Sequence, residues 1–367
     1  MHKEIFDAAH GRLGLGCMRF PTKADGNIDT ETVRQMVDLF MREGFNYFDT
    51  AHGYLDGRSE RMVRTCLTTR YPRDSYLLAD KLSSGFFEKE EDIVPFFHLQ
   101  LEECGVDWFD YYLMHAINAH SYEKYKACKA FETASRLKAE GRIGHVGMSF
   151  HDSAEVLDRI LCEQSAIEFV QLQLNYLDWD SPSVQSRLCY EVCMKHSKPV
   201  IVMEPVKGGS LCQLHPKAQE LLDGLPGARS NASYAMRFVM GLEGVAMVLS
   251  GMSTLDQVED NVHTFKEALP LGDEEKAVLA KVVGIINQEG AIACTDCRYC
   301  TEVCPIGMPI PAIFRLMNGR TDKSYEEITE KMKASKCLGC GKCEKDCPQK
   351  LPIRRYLGQA AMRYEKK

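Results

Sequence analysis

No stretch of this chain holds the ~18 consecutive apolar residues that a membrane-spanning helix needs. The opening Met1 to Arg12 lacks an apolar h-region and a cleavage signature, so no signal peptide is expected. The groove-reading motifs of nucleic-acid-binding domains are also missing, which argues against nucleic acid as a partner. So is the full glycine fingerprint of a doubly wound dinucleotide fold. Gly14-Leu15-Gly16 begins G-x-G-x-x-G, but Arg19 stands where its last glycine should be. What is left is a packed globular protein. Hydrophobic residues make up 45% of its 367 positions, enough for one large domain and a small one.

Cysteine, in contrast, is plentiful. Half of the 16 cysteines fall in two copies of one spacing near the C-terminus. Cys294, Cys297, Cys300 and Cys304 form C-x-x-C-x-x-C-x-x-x-C, followed by Pro305. Cys337, Cys340, Cys343 and Cys347 repeat it, followed by Pro348. Paired C-x-x-C knuckles also hold structural zinc, but those come as pairs and not as a triplet plus Cys-Pro. The repeated run is the ferredoxin spacing for [4Fe–4S] clusters, in which the fourth cysteine ligates the other cluster. That assigns Cys294, Cys297, Cys300 and Cys347 to one cluster, and Cys337, Cys340, Cys343 and Cys304 to a second. Gly339 and Gly341 between the ligands let backbone N–H groups approach the sulfurs. These eight thiols must stay reduced, which fits a cytoplasmic location. The other eight (Cys17, Cys66, Cys104, Cys128, Cys162, Cys189, Cys193 and Cys212) are scattered and read as ordinary core or surface thiols.

Charge is divided unevenly. From Ala291 onward the chain carries net +6, and the rest carries net −13. Each four-thiolate cube is negative, and Lys336, Lys342, Lys345, Lys350, Arg354 and Arg355 flank the runs and offset it.

Upstream, short apolar runs alternate with stretches of helical spacing. Strands are expected at 13–20, 45–50, 76–82, 109–115, 144–149, 169–174, 200–204 and 245–250. Helices are expected from Thr30 to Gly44 and at 59–69, 91–104, 122–139, 153–163, 184–195, about 233–240 and 255–268. Eight βα units in about 255 residues predict an α/β fold of the (β/α)8 TIM-barrel type. A helix at about 273–288 then leads to a small, mainly helical ferredoxin-like domain. The expected division is a barrel over 1–288 and an iron–sulfur domain over 289–367.

Barrel chemistry is done at the C-terminal ends of strands. Asp49 ends the second strand, and Tyr54 follows in its loop; Lys81 ends the third and His115 the fourth. Each alone is an unremarkable structural residue, but together they occupy successive strand ends. The set, within Phe48-Asp49-Thr50-Ala51-His52-Gly53-Tyr54, Asp80-Lys81-Leu82 and Tyr112-Leu113-Met114-His115, resembles the catalytic tetrad of the aldo/keto reductase family. Leu13-Gly14-Leu15-Gly16 and Gly147-Met148-Ser149-Phe150 are also similar to that family, and the likeness spans about residues 5–268. With the tail, the chain resembles the branch that carries a C-terminal ferredoxin domain.

The resemblance implies an oxidoreductase that reduces a carbonyl or oxidises an alcohol, with Tyr54 as general acid/base. A tyrosine with pKa near ~10 is a poor acid–base group at neutral pH. Lys81 is expected to lower that pKa, Asp49 to hold Lys81, and His115 to orient the carbonyl. Ser149 and Gln171 stand where the family holds nicotinamide, with Asn175 nearby. Ser250, Ser253, Gln257 and Asn261 stand where it holds the adenosine end. NADPH-specific members place Lys and Arg there, where this chain has Met252 and Gln257. A 2′-phosphate wants cationic partners, so NAD(H) is expected over NADP(H), with a flavin or no dinucleotide as open alternatives. His52 and His151 are expected to be loop residues, and Tyr111 and Tyr112 packing residues. Clusters pass single electrons whereas a hydride carries two, so either the barrel works alone or an external redox protein feeds the clusters. A protein of another class, an electron-transfer or binding module with a silent barrel, is the alternative.

Overall fold

The computed structural model describes residues 3–365. Eight parallel strands close into a barrel: β1 (Leu13–Gly16), β2 (Tyr47–Asp49), β3 (Leu77–Leu82), β4 (Phe109–Ile117), β5 (Ile143–Phe150), β6 (Phe169–Gln173), β7 (Val200–Met203) and β8 (Val245–Ser250). Each pairs with its sequence neighbour, and β8 returns to β1. The expected (β/α)8 fold is thus the observed one. Phe6, Tyr47, Leu77, Tyr111, Leu113, Phe169, Ile201 and Met247 share one buried cluster. Gly147 is needed there, because a Cβ on it would lie 2.4 Å from the Phe169 ring.

The helices follow from apolar stripes and caps. Val33, Met36, Val37 and Phe40 form the buried stripe of helix Thr30–Arg42, and Asp29 caps its start. Several elements differ from the expected ones. The first strand stops at Gly16, where a 3-10 turn takes over Cys17–Arg19. The expected helix at 122–139 is two helices, Ala119–Ala127 and Ala130–Ala139, broken where Lys129 adopts φ 49°. Helix Ser59–Val63 widens into a π-turn over Arg64–Thr68. Helix Pro216–Asp223 was not expected; His215 caps it and Pro216 opens it.

Compactness divides the chain into two units. The first holds 1–180, 185–205 and 232–271 and contains all eight strands. The second holds 181–184, 206–231 and 272–367, so the long loop after β7 groups with the cysteine runs.

Within the second unit the cysteine runs are two copies of one backbone. Asp296 and Gly339, both two residues after the first cysteine of their run, have φ 53° and 68°. Arg298 and Gly341, two further on, have φ 66° and 75°. Gly307 and Lys350, after each Cys-Pro, have φ 61° and 51°. A helical turn follows in each copy, at Tyr299–Glu302 and Lys342–Lys345. A longer helix then follows, at Ile310–Met317 and Ile353–Tyr364. Left-handed positions alternating with right-handed ones turn successive N–H groups inward, a shape that binds anions and iron–sulfur groups. Among the described residues, no helix is long and apolar enough to cross a membrane.

Candidate active site and cluster ligands

The barrel mouth gathers Asp49, Tyr54, Lys81 and His115. Asp49 ends β2 and Lys81 lies on the adjoining β3; both side chains are buried. The Lys81 ammonium donates to Asp49 Oδ1 at 2.6 Å and to the Thr50 carbonyl at 2.7 Å. It also lies 4.8 Å from the centre of the Tyr54 ring. The His115 ring stands edge-on to Tyr54, with centroids 5.8 Å apart. Ser83, two residues past Lys81, reaches His115 Nδ1 at 2.6 Å.

Tyr54 is pushed well above the usual tyrosine value, first by desolvation and then by the Asp49 carboxylate. Lys81 faces the ring and donates to Asp49 and Thr50, while burial and the nearby carboxylates set the direction of the shift. The phenol is held protonated. His115 is held well below the ordinary histidine value by burial, then by Lys81 and His151, and is a neutral imidazole. Burial raises Asp49 as well, with Lys81 opposing it.

Beneath Lys81 lies a polar network that sequence reasoning passed over. Gln100 Nε2 donates to Glu60 Oε1 and Asp80 Oδ1, each at 3.1 Å, and Tyr112 donates to Gln100 Oε1 at 2.6 Å. His52 Nδ1 meets Glu60 Oε2 at 2.7 Å. Glu60 and Gln100 sit at buried helix positions, where a carboxylate and an amide among apolar neighbours were the available signal. His52 therefore has a partner, whereas Tyr111 and Tyr112 are buried packing residues as expected.

The residues expected to hold a dinucleotide fare differently. Ser149 on β5 and Gln171 on β6 are direct register partners, and both are buried. Ser149 Oγ accepts the Ala116 N–H at 2.8 Å. Gln171 Oε1 is buried without a hydrogen-bond partner among the described residues. Asn175 is consumed locally: its amide donates to Asp178, and its oxygen accepts from Leu177 and Asp178. At the end of β8, Asn261 donates to Ser250 Oγ at 2.7 Å. Ser253 donates its hydroxyl to the Arg19 carbonyl at 2.7 Å and its N–H to Gln257 Oε1 at 2.8 Å. Those two donors are thus turned onto the loop itself.

All 16 cysteines are free thiols. Cys304, Cys337, Cys340 and Cys343 line one cavity, with Gly341 and Arg354. Burial pushes Cys343 up to about 11, with Glu344, Cys337, Cys304 and Cys340 adding to it. Burial pushes Cys300 up to about 12, with Cys294 the next cause and Cys347 and Cys343 contributing. Soft donors gathered in this way fit iron–sulfur clusters, and loading metal there must displace thiol protons. The Met308 N–H already points at Cys304 Sγ, 3.5 Å away.

A parallel barrel with ionisable groups at its mouth, joined to paired ferredoxin runs, defines an iron–sulfur oxidoreductase. The chain belongs to the aldo/keto reductase family: that family's model matches residues 12–283, and the 4Fe-4S dicluster domain model matches 293–351. It is 26% identical to an L-galactose dehydrogenase of Arabidopsis thaliana over 76% of this chain and 89% of that protein. A holo-form aldo-keto reductase of Bacillus halodurans is 27% identical with TM-score 0.61, over 74% of this chain and 92% of that one. A Klebsiella pneumoniae aldo-keto reductase in complex with NADPH shares the fold at TM-score 0.60 and 20% identity, over 74% of this chain and 90% of that one.

Proposed function

We propose that the barrel reduces a small carbonyl compound, or oxidises the matching alcohol, with Tyr54 as the proton donor. The observation that carries this reading is the convergence of a protonated Tyr54, a neutral His115 and a buried Lys81–Asp49 pair at one barrel mouth. Carbonyl reduction needs a proton on oxygen, and a phenol held in its protonated form donates one. The tautomer in which Ser83 donates to Nδ1 would leave the His115 hydrogen on Nε2, the form that donates to a carbonyl oxygen. Lys81, anchored by Asp49 and Thr50, places a positive charge beside Tyr54 and stabilises the phenolate as the proton leaves.

A bound nicotinamide would supply the hydride, and the clusters single electrons. Ser149 and the unpartnered Gln171 Oε1 suit the carboxamide of such a ring, whose NH2 needs an acceptor. Cys294, Cys297, Cys300 and Cys347 would ligate one cluster, and Cys337, Cys340, Cys343 and Cys304 the other. NAD(H) is favoured over NADP(H), because Ser253 and Gln257 bond to each other and no cation takes the place of Met252. The same closed loop supports the second reading, an electron-transfer module with little dinucleotide affinity. In sequence terms we take 1–288 as the barrel and 289–367 as the cluster domain, in a cytoplasmic protein.

Tyr54→Phe decides between the two readings. In a catalytic barrel it lowers kcat by about 10²-fold or more while the cluster spectrum stays unchanged. Turnover equal to the parent's would leave the silent-barrel reading standing.

A further inference from the structure

We infer that the face around the second cysteine run docks a small acidic protein that exchanges single electrons with the cluster held there. The inference rests on reading Cys304, Cys337, Cys340 and Cys343 as cluster ligands. Three observations lead to it.

First, this run comes to the surface. Cys340 is exposed, and Leu338 between the ligands is 64% exposed, the most of any large hydrophobic residue described. Cys297, the matching position of the other run, is only partly exposed. Electron transfer between proteins needs a close approach, and the second run offers one.

Second, a groove adjoins the four-cysteine cavity. Its floor is Ile306 and Met332, and Lys331, Lys333, Lys336, Glu330 and Thr329 line the rest. Ile306 lines the cysteine cavity too, so the two share a wall. An apolar floor with a charged rim is the anatomy of a protein interface.

Third, the rim is cationic and its charges are not spent. Lys331, Lys333, Lys336, Lys342 and Lys345 are all exposed. None of them forms an ion pair among the described residues; the nearby Arg354 does, with Glu344 at 2.7 Å. Offsetting the cluster's charge does not account for Lys331 and Lys333, which stand outside the ligand run. Glu330 is the groove's one carboxylate against three ammonium groups. Such a field steers an acidic partner to the cluster edge. The step itself is one electron passing from the partner's reduced centre to the oxidised cluster, with no bond made and no proton required.

The test uses full-length, cluster-replete protein and two acidic one-electron donors, a reduced plant-type [2Fe–2S] ferredoxin and a flavodoxin. Stopped-flow absorbance follows cluster bleaching. For the parent chain, the second-order rate constant should fall steeply as salt rises from about 20 mM to about 500 mM. Reversing Lys331→Glu, Lys333→Glu and Lys336→Glu together should lower it about 10-fold or more at low salt, with bleaching by dithionite unchanged. A salt-independent parent rate, an unaffected triple variant, or bleaching by dithionite but by neither protein would each overturn the docking face. The salt series on the parent needs no variant to fold. A purified chain with neither iron nor sulfide would remove the cluster reading, and the docking face with it.

Discussion

The barrel mouth holds its groups in protonation states fixed by burial. His115 loses its charge because desolvation and the Lys81 ammonium both oppose a second proton. Its folded value lies below the unfolded one, so the ring stays neutral across the physiological range. Tyr54 is raised, so it stays a phenol over that range too. The rate of carbonyl reduction should therefore carry no His115 inflection between about pH 5 and 8. His52 behaves oppositely: its bond to Glu60 raises it. Profiles of kcat/KM for the parent, His115→Gln and His52→Gln separate the two. An inflection near pH 6.5 that disappears only in His115→Gln would sink the neutral-imidazole assignment.

At the scale of elements, the alternating pattern of the barrel was legible because every strand is buried. β2, β3 and β6 are buried at every position, so they read as short apolar runs. Strand ends then pointed to Asp49, Lys81 and His115, although β4 runs on past His115 to Ile117. Side-chain direction was not legible. Lys81 faces the Tyr54 ring and Ser253 bonds back to Arg19; both depend on atoms far apart in sequence. The β8 loop illustrates the consequence. Gln257 closes onto the Ser253 N–H, so that donor is turned onto the loop itself. Titration with NADH and NADPH should give a lower Kd for NADH, and tighter NADPH binding would refute the preference.

The loop after β7 was read in sequence as barrel, yet residues 206–231 pack with the cysteine runs. Lys207 is buried there and donates to Gln349 Oε1 at 2.8 Å. Gly208 adopts φ 63°, and a Cβ on it would lie 2.3 Å from the carbonyl oxygen of Thr295, the residue after Cys294. Backbone on both sides leaves no flexible side chain to yield. Gly208→Ala should therefore detach this loop, seen as faster hydrogen exchange over 206–231 and less iron retained. Gly209→Ala is the control, since Gly209 has φ 86° with nothing within 4 Å of its Cβ position. It bears only the left-handed strain of about 1–3 kcal/mol. Equal effects of the two substitutions would show that contact with Thr295 does not hold the loop.

For the whole molecule, the two units draw their stability from different sources. The barrel closes on itself around a core of Tyr, Phe, Leu and Ile side chains. In the core of the second unit the ligands are themselves components. Cys300, Cys343 and Cys347 are buried in it, and Cys294, Cys304 and Cys337 pack against it. What remains is chiefly Ile292, Met308, Ile310, Ile313, Phe314, Tyr325, Leu351, Ile353 and Leu357. Two runs that hold Asp296, Arg298 and Lys350 in the left-handed region also carry backbone strain. Metal ligation is then folding energy for this unit and not for the other. Anaerobic removal of iron by a chelator should give a protein with two unfolding transitions in place of its holo behaviour. Protease should cut it within 290–365 and 206–231, while the (β/α)8 barrel keeps its far-UV signal. Metal-free protein protected at 290–365 as strongly as the holo form would mean that the apolar core alone suffices, and that the clusters contribute to chemistry but not to folding.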